Sequence, residues 1–225
     1  MAELTPAERE TMKALYRLSQ TEPTVRAGDL VDTLGLSPAT ITSRLRRIDK
    51  LGLALHTPYQ GVRLTDEGRR VSVAAIRRHR IVERFLSDML GYAWDQADRL
   101  AVTFEHQLPS EVVQRIFIAL DRPATCPHGF PIPKVDADDI PALPTLADVP
   151  IGGEVEVAVP GDTHPEVVAF LATIGIFPGA RVTVREHHPF DGPLVVDISG
   201  TDRVIGHKLA REIYVATRQG DDAEP

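Results

Sequence analysis

The sequence predicts a mainly α N-terminal part, made of a winged helix-turn-helix unit and a helical dimerisation domain, followed by a small SH3-like β-barrel domain. Three observations predict it. Two helix starts of one type, "TPAERE" and "SPATIT", each precede apolar residues at helical spacing. Of the 18 prolines, 7 fall within residues 121–150. Beyond that stretch the apolar residues alternate, as they do in strands.

Thr5 reads as an N-cap, Pro6 as the first helical residue, and Glu8 as the partner of a capping box. A short second helix fits "VRAGDLVDTLG", closed by Gly35, and a third runs from Ser37 and Pro38 to Gly52. "LALHTPYQGVRLTDEG" holds two short strands around a turn at Pro58 and Gly61. Three helices and a hairpin in about 65 residues have the shape of a winged helix-turn-helix unit.

A long helix is expected from Val71 to Leu90, then one over "DQADRLAVTFEHQL" and one over "PSEVVQRIFIAL". Leu100, Ala101, Phe104 and Leu108 form one apolar stripe; Val112, Val113, Ile116, Phe117 and Leu120 form another. Three helices cannot bury that much apolar surface, so a homodimer is expected. The acidic, proline-rich "DADDIPALPTLADVP" reads as a linker. "GGEVEVAV", "ARVTVREH" and "PLVVDISG" read as strands, "PEVVAFLATIG" as a short helix, and "RQGDDAEP" as a tail. The expected boundaries are 1–72 for the DNA-binding unit, 73–140 for the helical domain, 141–148 for the linker, 149–218 for the barrel and 219–225 for the tail.

Composition narrows the function. At 225 residues and 43% hydrophobic content the chain can build two or three small cores. No apolar run reaches the roughly 20 residues of a membrane span, and "MAELTPAERE" has neither the basic nor the apolar part of a signal peptide. A cytoplasmic protein is expected. Cys126 is the single cysteine, which excludes an intramolecular disulfide and a zinc cage of several thiolates from one chain. Residues 1–80 carry 14 Lys/Arg against 9 Asp/Glu, and the remainder 11 against 23. A basic front on an acidic chain suits a polyanion at one end and cations at the other.

On the third helix Ile41, Leu45 and Ile48 share an inward face, leaving Thr40, Ser43, Arg44 and Arg47 mostly on the other. Hydroxyls at a helix N-terminus followed by arginines suit entry into a major groove, with Ser37, Pro38, Ala39 and Thr42 at the approach. Arg26, Tyr59 and Arg63 are further candidates for contacts to duplex DNA. Taken alone such a helix equally fits a solvated cationic face; its neighbours favour DNA.

His79 and Glu83 are four apart, hence on one helix face. Asp98, Val102 and Glu105 form a stripe on the next helix, and His106 lies about 100° round from Glu105. Imidazole and carboxylates from two antiparallel helices suit an octahedral site for Mn²⁺ or Fe²⁺. Each residue singly also fits a solvated or ion-paired surface, with the arginines around His79 as partners for Glu83. No H-E-x-x-H, G-x-S-x-G or phosphate-loop motif occurs, so neither catalysis nor a small organic substrate is expected.

"IRRHRIVERFL", "GYAWD", "EHQLPSEVVQRI" and "CPHGFPIP", in this order behind the winged helix, resemble the diphtheria-toxin-repressor family of iron- and manganese-dependent transcriptional repressors. "LATIGIFPGARVTV", "HPFDGPL" and "IGHKLAREIYV" resemble the FeoA-type SH3-like domain carried by many members. The resemblance implies a homodimer on an inverted-repeat operator, with metal ordering the first helix. It puts one metal site on His79, Glu83 and Asp98, and a second on Glu105, His106 and Glu10. Val102 stands at a further ligand position of the second site and cannot coordinate. Lys13 stands where some manganese regulators carry a second carboxylate. Third-domain ligands would fall on His164 and Glu166, with Asp162 and its helix start better read as a cap. Glu10 has the alternative of pairing with Lys13 and Arg17 on an exposed face. Oxygen and imidazole ligands favour a hard ion, so Mn²⁺ is the expected effector, with Fe²⁺ as the alternative. Two other functions fit the same residues: a DNA-binding regulator without metal control, as Val102 would allow, and a metal-sequestering or adaptor protein that reads no DNA sequence.

Overall fold

The computed structural model describes residues 4–57, 60–158 and 170–217. It divides into two compact units, one of residues 1–126 with 131–141, the other of 127–130 with 142–225.

In the first unit α1 (Pro6–Ser19) begins with the expected box: the Thr5 hydroxyl accepts from the Glu8 N–H, and the Glu8 carboxylate accepts from the Thr5 N–H. α2 (Ala27–Leu34) ends at Gly35, whose φ of 63° is the left-handed cap that glycine takes without strain. α3 (Pro38–Lys50) is capped by the Ser37 hydroxyl and buries Ile41, Leu45 and Ile48. β1 (Ala54–Thr57) and β2 (Gly61–Leu64) form the hairpin, with Ala54 opposite Leu64. Met12, Leu15, Leu30 and Val62 join the same core. Burying a side chain of this size contributes about 1.5–3 kcal/mol, so the three helices and the hairpin share a core of their own.

α4 (Asp66–Asp88) starts five residues before the sequence reading placed it. Gly68 had read as the end of the hairpin. It is instead a helical residue pressed on the hairpin: a Cβ there would lie 1.7 Å from the Leu53 carbonyl oxygen. α5 (Trp94–Phe104) gives way to a 3-10 turn at Glu105–Gln107, and α6 is Ser110–Ala119. The expected apolar stripes divide. Ala97, Ala101 and Val113 pack with Ile81, Val82 and Leu86, while Leu100, Val102, Phe104, Val112 and Ile118 remain exposed. That outward apolar surface on α5 and α6 suits a partner copy.

The second unit is a five-stranded antiparallel sheet. β3 (Glu154–Ala158), β4 (Arg181–His187), β5 (Leu194–Ile198), β6 (Thr201–Ile205) and β7 (Tyr214–Thr217) lie in the order β6-β5-β4-β3-β7. β6 was not read from the sequence because only Ile205 of its five residues is buried, so it shows no alternation. Part of the stretch read as a linker lies on this sheet: Leu146 is fully buried, and its N–H donates to the Ile213 carbonyl. Of the expected helix 165–175, residues 170–173 are helical and the earlier part lies outside the described residues. No described helix is long and apolar enough to cross a membrane.

Candidate metal centre and nucleic-acid interface

The metal candidates stand on three segments of the first unit: α1, the middle of α4, and α5 with its 3-10 turn. The turn is held from α4. Arg78 donates from Nε to the Glu105 carbonyl at 2.8 Å and from Nη2 to the Leu108 carbonyl. Its neighbours Arg77 and Arg80 donate to the carbonyls of Pro133 and Pro131. All three arginines reach main-chain oxygens, and Arg80 in addition feels the charge of Glu83, as the sequence offered. Arg78 positions the Glu105–His106 turn, a role with no local sequence signal.

His79 sits at the centre, almost fully buried. Its Nδ1 is 2.7 Å from Glu105 Oε2, its Nε2 is 3.1 Å from Asp98 Oδ1 and 3.7 Å from Glu83 Oε1. A carboxylate only accepts, so Nδ1 carries a proton towards Glu105. In the neutral ring the Nε2 lone pair then faces Asp98 and Glu83. Burial disfavours the charged ring, but the hydrogen bonds with Asp98 and Glu105 outweigh it and push the His79 pKa up. Burial likewise tends to raise the Glu105 pKa; the His79 hydrogen bond and charge, with Lys13, reverse this and hold it below the usual carboxylate value.

One donor atom each from His79, Glu83 and Asp98 lie within 4.8 Å of one another. The set is one imidazole nitrogen and two carboxylate oxygens, a hard set that fits a divalent ion such as Mn²⁺ or Fe²⁺. Glu105 behind the ring supplies the carboxylate–histidine contact by which metal-binding imidazoles are oriented. Asp98 is 38% exposed and gives the cluster an opening to solvent.

Donors of Glu10, Glu105 and His106 also converge within 4.8 Å. Here Glu10 does pair with Lys13, as the alternative had it, but not on an exposed face. Lys13 points inwards, its side chain 3% exposed, with Nζ 2.8 Å from Glu10 Oε1 and 3.1 Å from Glu105 Oε1. His106 Nε2 approaches the same two oxygens at 3.3 and 3.6 Å, and its buried Nδ1 has no hydrogen-bond partner among the described residues. This donor set therefore fits a metal less well than the first. The sequence reading placed Glu105 in a helical stripe with Asp98. Glu105 stands at the start of the 3-10 turn, with one oxygen facing His79 and the other Lys13. His164 and Glu166 lie outside the described residues.

On α3, Ala39, Ser43, Arg46 and Lys50 form the exposed stripe opposite Ile41, Leu45 and Ile48. Pro38, Thr42 and Arg47 line the same surface. Arg46 and Lys50 were missed, although their spacing from Ala39 and Ser43 is the signal that finds them. Arg44 was read as facing outwards and does not. It is three residues from Ile41 and four from Ile48, at the edge of the buried stripe, and its Nη1 donates to the Ala7 carbonyl and Thr11 hydroxyl of α1. Arg47 is half-exposed and pairs with Glu8 of α1. The hydroxyls of Ser37 and Thr40 lie 2.8 Å apart at the helix start. Arg26 and Arg63 are exposed, and Tyr59 lies outside the described residues.

Comparison with known proteins gives this arrangement a family. Residues 3–62 match the model described as "Iron dependent repressor, N-terminal DNA binding domain", and 65–134 the one described as "Iron dependent repressor, metal binding and dimerisation domain". Residues 145–217 match the FeoA domain. The iron-dependent repressor IdeR of Mycobacterium tuberculosis is 30% identical over 230 residues, covering 96% of this chain and 99% of its own. The diphtheria toxin repressor of Corynebacterium glutamicum is 26% identical over 231 residues, covering 98% and 100%. Among solved structures, a manganese-dependent transcriptional repressor in complex with manganese superposes with a TM-score of 0.79 at 30% identity, over 93% of this chain and 99% of that one. The manganese regulator SloR, at 22% identity and a TM-score of 0.80, shares the fold over 96% and 100%. With its DNA-binding, metal-binding and dimerisation, and FeoA domains in this order, the chain belongs to the iron-dependent repressor family, a family of DNA-binding transcriptional repressors and not of enzymes.

Proposed function

We propose that the chain is a metal-dependent transcriptional repressor of metal-uptake genes, with Mn²⁺ as its preferred effector and Fe²⁺ as the alternative. It acts in the cytoplasm as a homodimer that grips an inverted-repeat operator. The observation that carries this reading is the placement of α1. One face bears Glu10 and Lys13 against Glu105 and His106, and the other bears Ala7, Glu8 and Thr11 against Arg44 and Arg47 of the DNA-reading helix.

His79, Glu83 and Asp98 hold the ion. A bound divalent cation supplies positive charge that stabilises three converging donors in one geometry. His79 then keeps its Nδ1 proton on Glu105, and Glu105 stays fixed within the turn that Arg78 holds. Glu105 in turn fixes Lys13 and with it α1. α1 orients α3 through Arg44 and Arg47, so the exposed Ser43, Arg46 and Lys50 meet the duplex in one orientation. Exposed Leu100, Phe104, Val112 and Ile118 supply the dimer surface that sets the spacing of two such heads. The donors contain no thiolate or thioether, which favours a hard ion and so Mn²⁺. Metal and DNA are then linked, each tightening the binding of the other by the same factor.

A mobility-shift titration on promoters recovered by footprinting tests the reading. Operator affinity is expected to rise with added Mn²⁺ and fall with chelator. Affinity that ignores the chelator would leave a regulator without metal control, and failure to bind any promoter specifically would leave the adaptor.

A further inference from the structure

The second donor cluster has its own positive charge. We propose that the Lys13 ammonium is the resident cation of the Glu10–Glu105–His106 cluster, so that of these two clusters only His79, Glu83 and Asp98 take a divalent ion. This deepens the metal-dependent reading and rests on it for the first of the two sites.

The argument is one of geometry and charge. Lys13 Nζ touches one oxygen of each carboxylate, and these are the oxygens His106 Nε2 also faces. An ion seated between Glu10, Glu105 and His106 would need the oxygens the ammonium holds. It would also bring two further positive charges beside a buried one. The ammonium cannot leave without cost, since a buried charge pair that loses one member leaves the other uncompensated. At the neighbouring position on α5, Val102 is exposed and offers no donor. Glu105 is left with one oxygen on Lys13 and the other on His79. A second ion would have to share an oxygen with the ammonium or with the imidazole N–H.

Lys13 is thus a specificity-determining residue. It ties α1 to the Glu105 turn through contacts to both carboxylates and reserves response to metal for His79, Glu83 and Asp98. The two clusters together titrate as a one-ion switch.

The test counts Mn²⁺ bound per chain in the full-length protein by equilibrium dialysis with elemental analysis. Wild type is expected to bind one ion, lost in His79→Ala. Lys13→Met, which keeps the length and removes the charge, should rise from one to two, and Lys13→Arg should stay at one. Lys13→Gln, shorter and polar, serves as a second neutral variant, and a far-ultraviolet melt confirms folding of each. Two ions in wild type, or one ion in a folded neutral variant, overturns the inference. So does a single wild-type ion that survives His79→Ala and is lost in His106→Ala, which also decides the matter if both neutral variants fail to fold. No ion in wild type but one in Lys13→Met upholds Lys13 as resident cation and rejects the first metal site. No ion in either rejects both.

Discussion

In the His79 cluster an imidazole nitrogen and two carboxylates face one another, whereas in the Glu10 cluster two carboxylates close on an ammonium. Residue types are nearly the same: histidine with two acidic side chains in each. What separates them is the company each keeps. Behind His79 stands a carboxylate, which orients the ring and turns its far nitrogen towards Asp98 and Glu83. Beside Glu10 stands a lysine, which meets the need for positive charge from within the chain. Donor type alone is therefore a poor guide to where an ion binds. The charge already present among the donors decides it.

The comparison breaks most readily at His79. His79→Ala removes the only nitrogen donor of the first cluster and is expected to weaken Mn²⁺ binding by more than about a hundredfold, read by calorimetry; a small change would mean that the ion sits elsewhere. Glu105→Gln leaves the metal donors in place but loses the charge behind the ring. A fall of about ten- to a hundredfold in Mn²⁺ affinity is expected, the usual range for such supporting groups. The same change leaves Lys13 short of one partner, so the metal-free melting temperature should also drop. An unchanged affinity would detach Glu105 from the site.

Proton competition sharpens the contrast. The His79 pKa in the metal-free chain lies above its ordinary value of 6.5, the hydrogen bonds with Asp98 and Glu105 having overcome burial. Such a group stabilises the fold fully below its unfolded value, and that contribution is lost as pH rises through the raised folded value. Coordination needs the neutral ring. Manganese affinity should therefore climb about tenfold per pH unit until the raised value is passed, then level off. Calorimetry across neutral pH shows the trend; affinity independent of pH would exclude His79 as a ligand. The smallest effect is expected at Arg46→Ala, which should weaken binding similarly on all operators and reduce the slope of log affinity against log salt by about two for a dimer, about one per chain. Loss at one base position only would move Arg46 from backbone contact to base reading.

Much of this was legible in the chain. The caps at Thr5 and Ser37 and the glycine at 35 mark helix ends by local hydrogen bonding and backbone freedom, which neighbouring residues determine. His79 and Glu83 share a face through helical period alone. Lys13 and Glu105 are 92 positions apart, and no local pattern shows that one is buried against the other. Arg44 and Arg78 behave alike in this respect. Each reads as a surface charge until another segment brings carbonyl oxygens within reach. The breakpoint between α5 and the 3-10 turn was invisible for the same reason, since Arg78 holds it from a different helix.

Gly68 links the two halves of this switch. It lets α4 begin directly on the hairpin, where even a methyl group would collide with the Leu53 carbonyl. From there 23 residues run without interruption past His79 and Glu83, about 34 Å at the usual rise per residue. The hairpin and the candidate ligands His79 and Glu83 are thereby mounted on one continuous helix. Any tilt of α4 at His79 is shared by its hairpin end, since the helix is continuous between them.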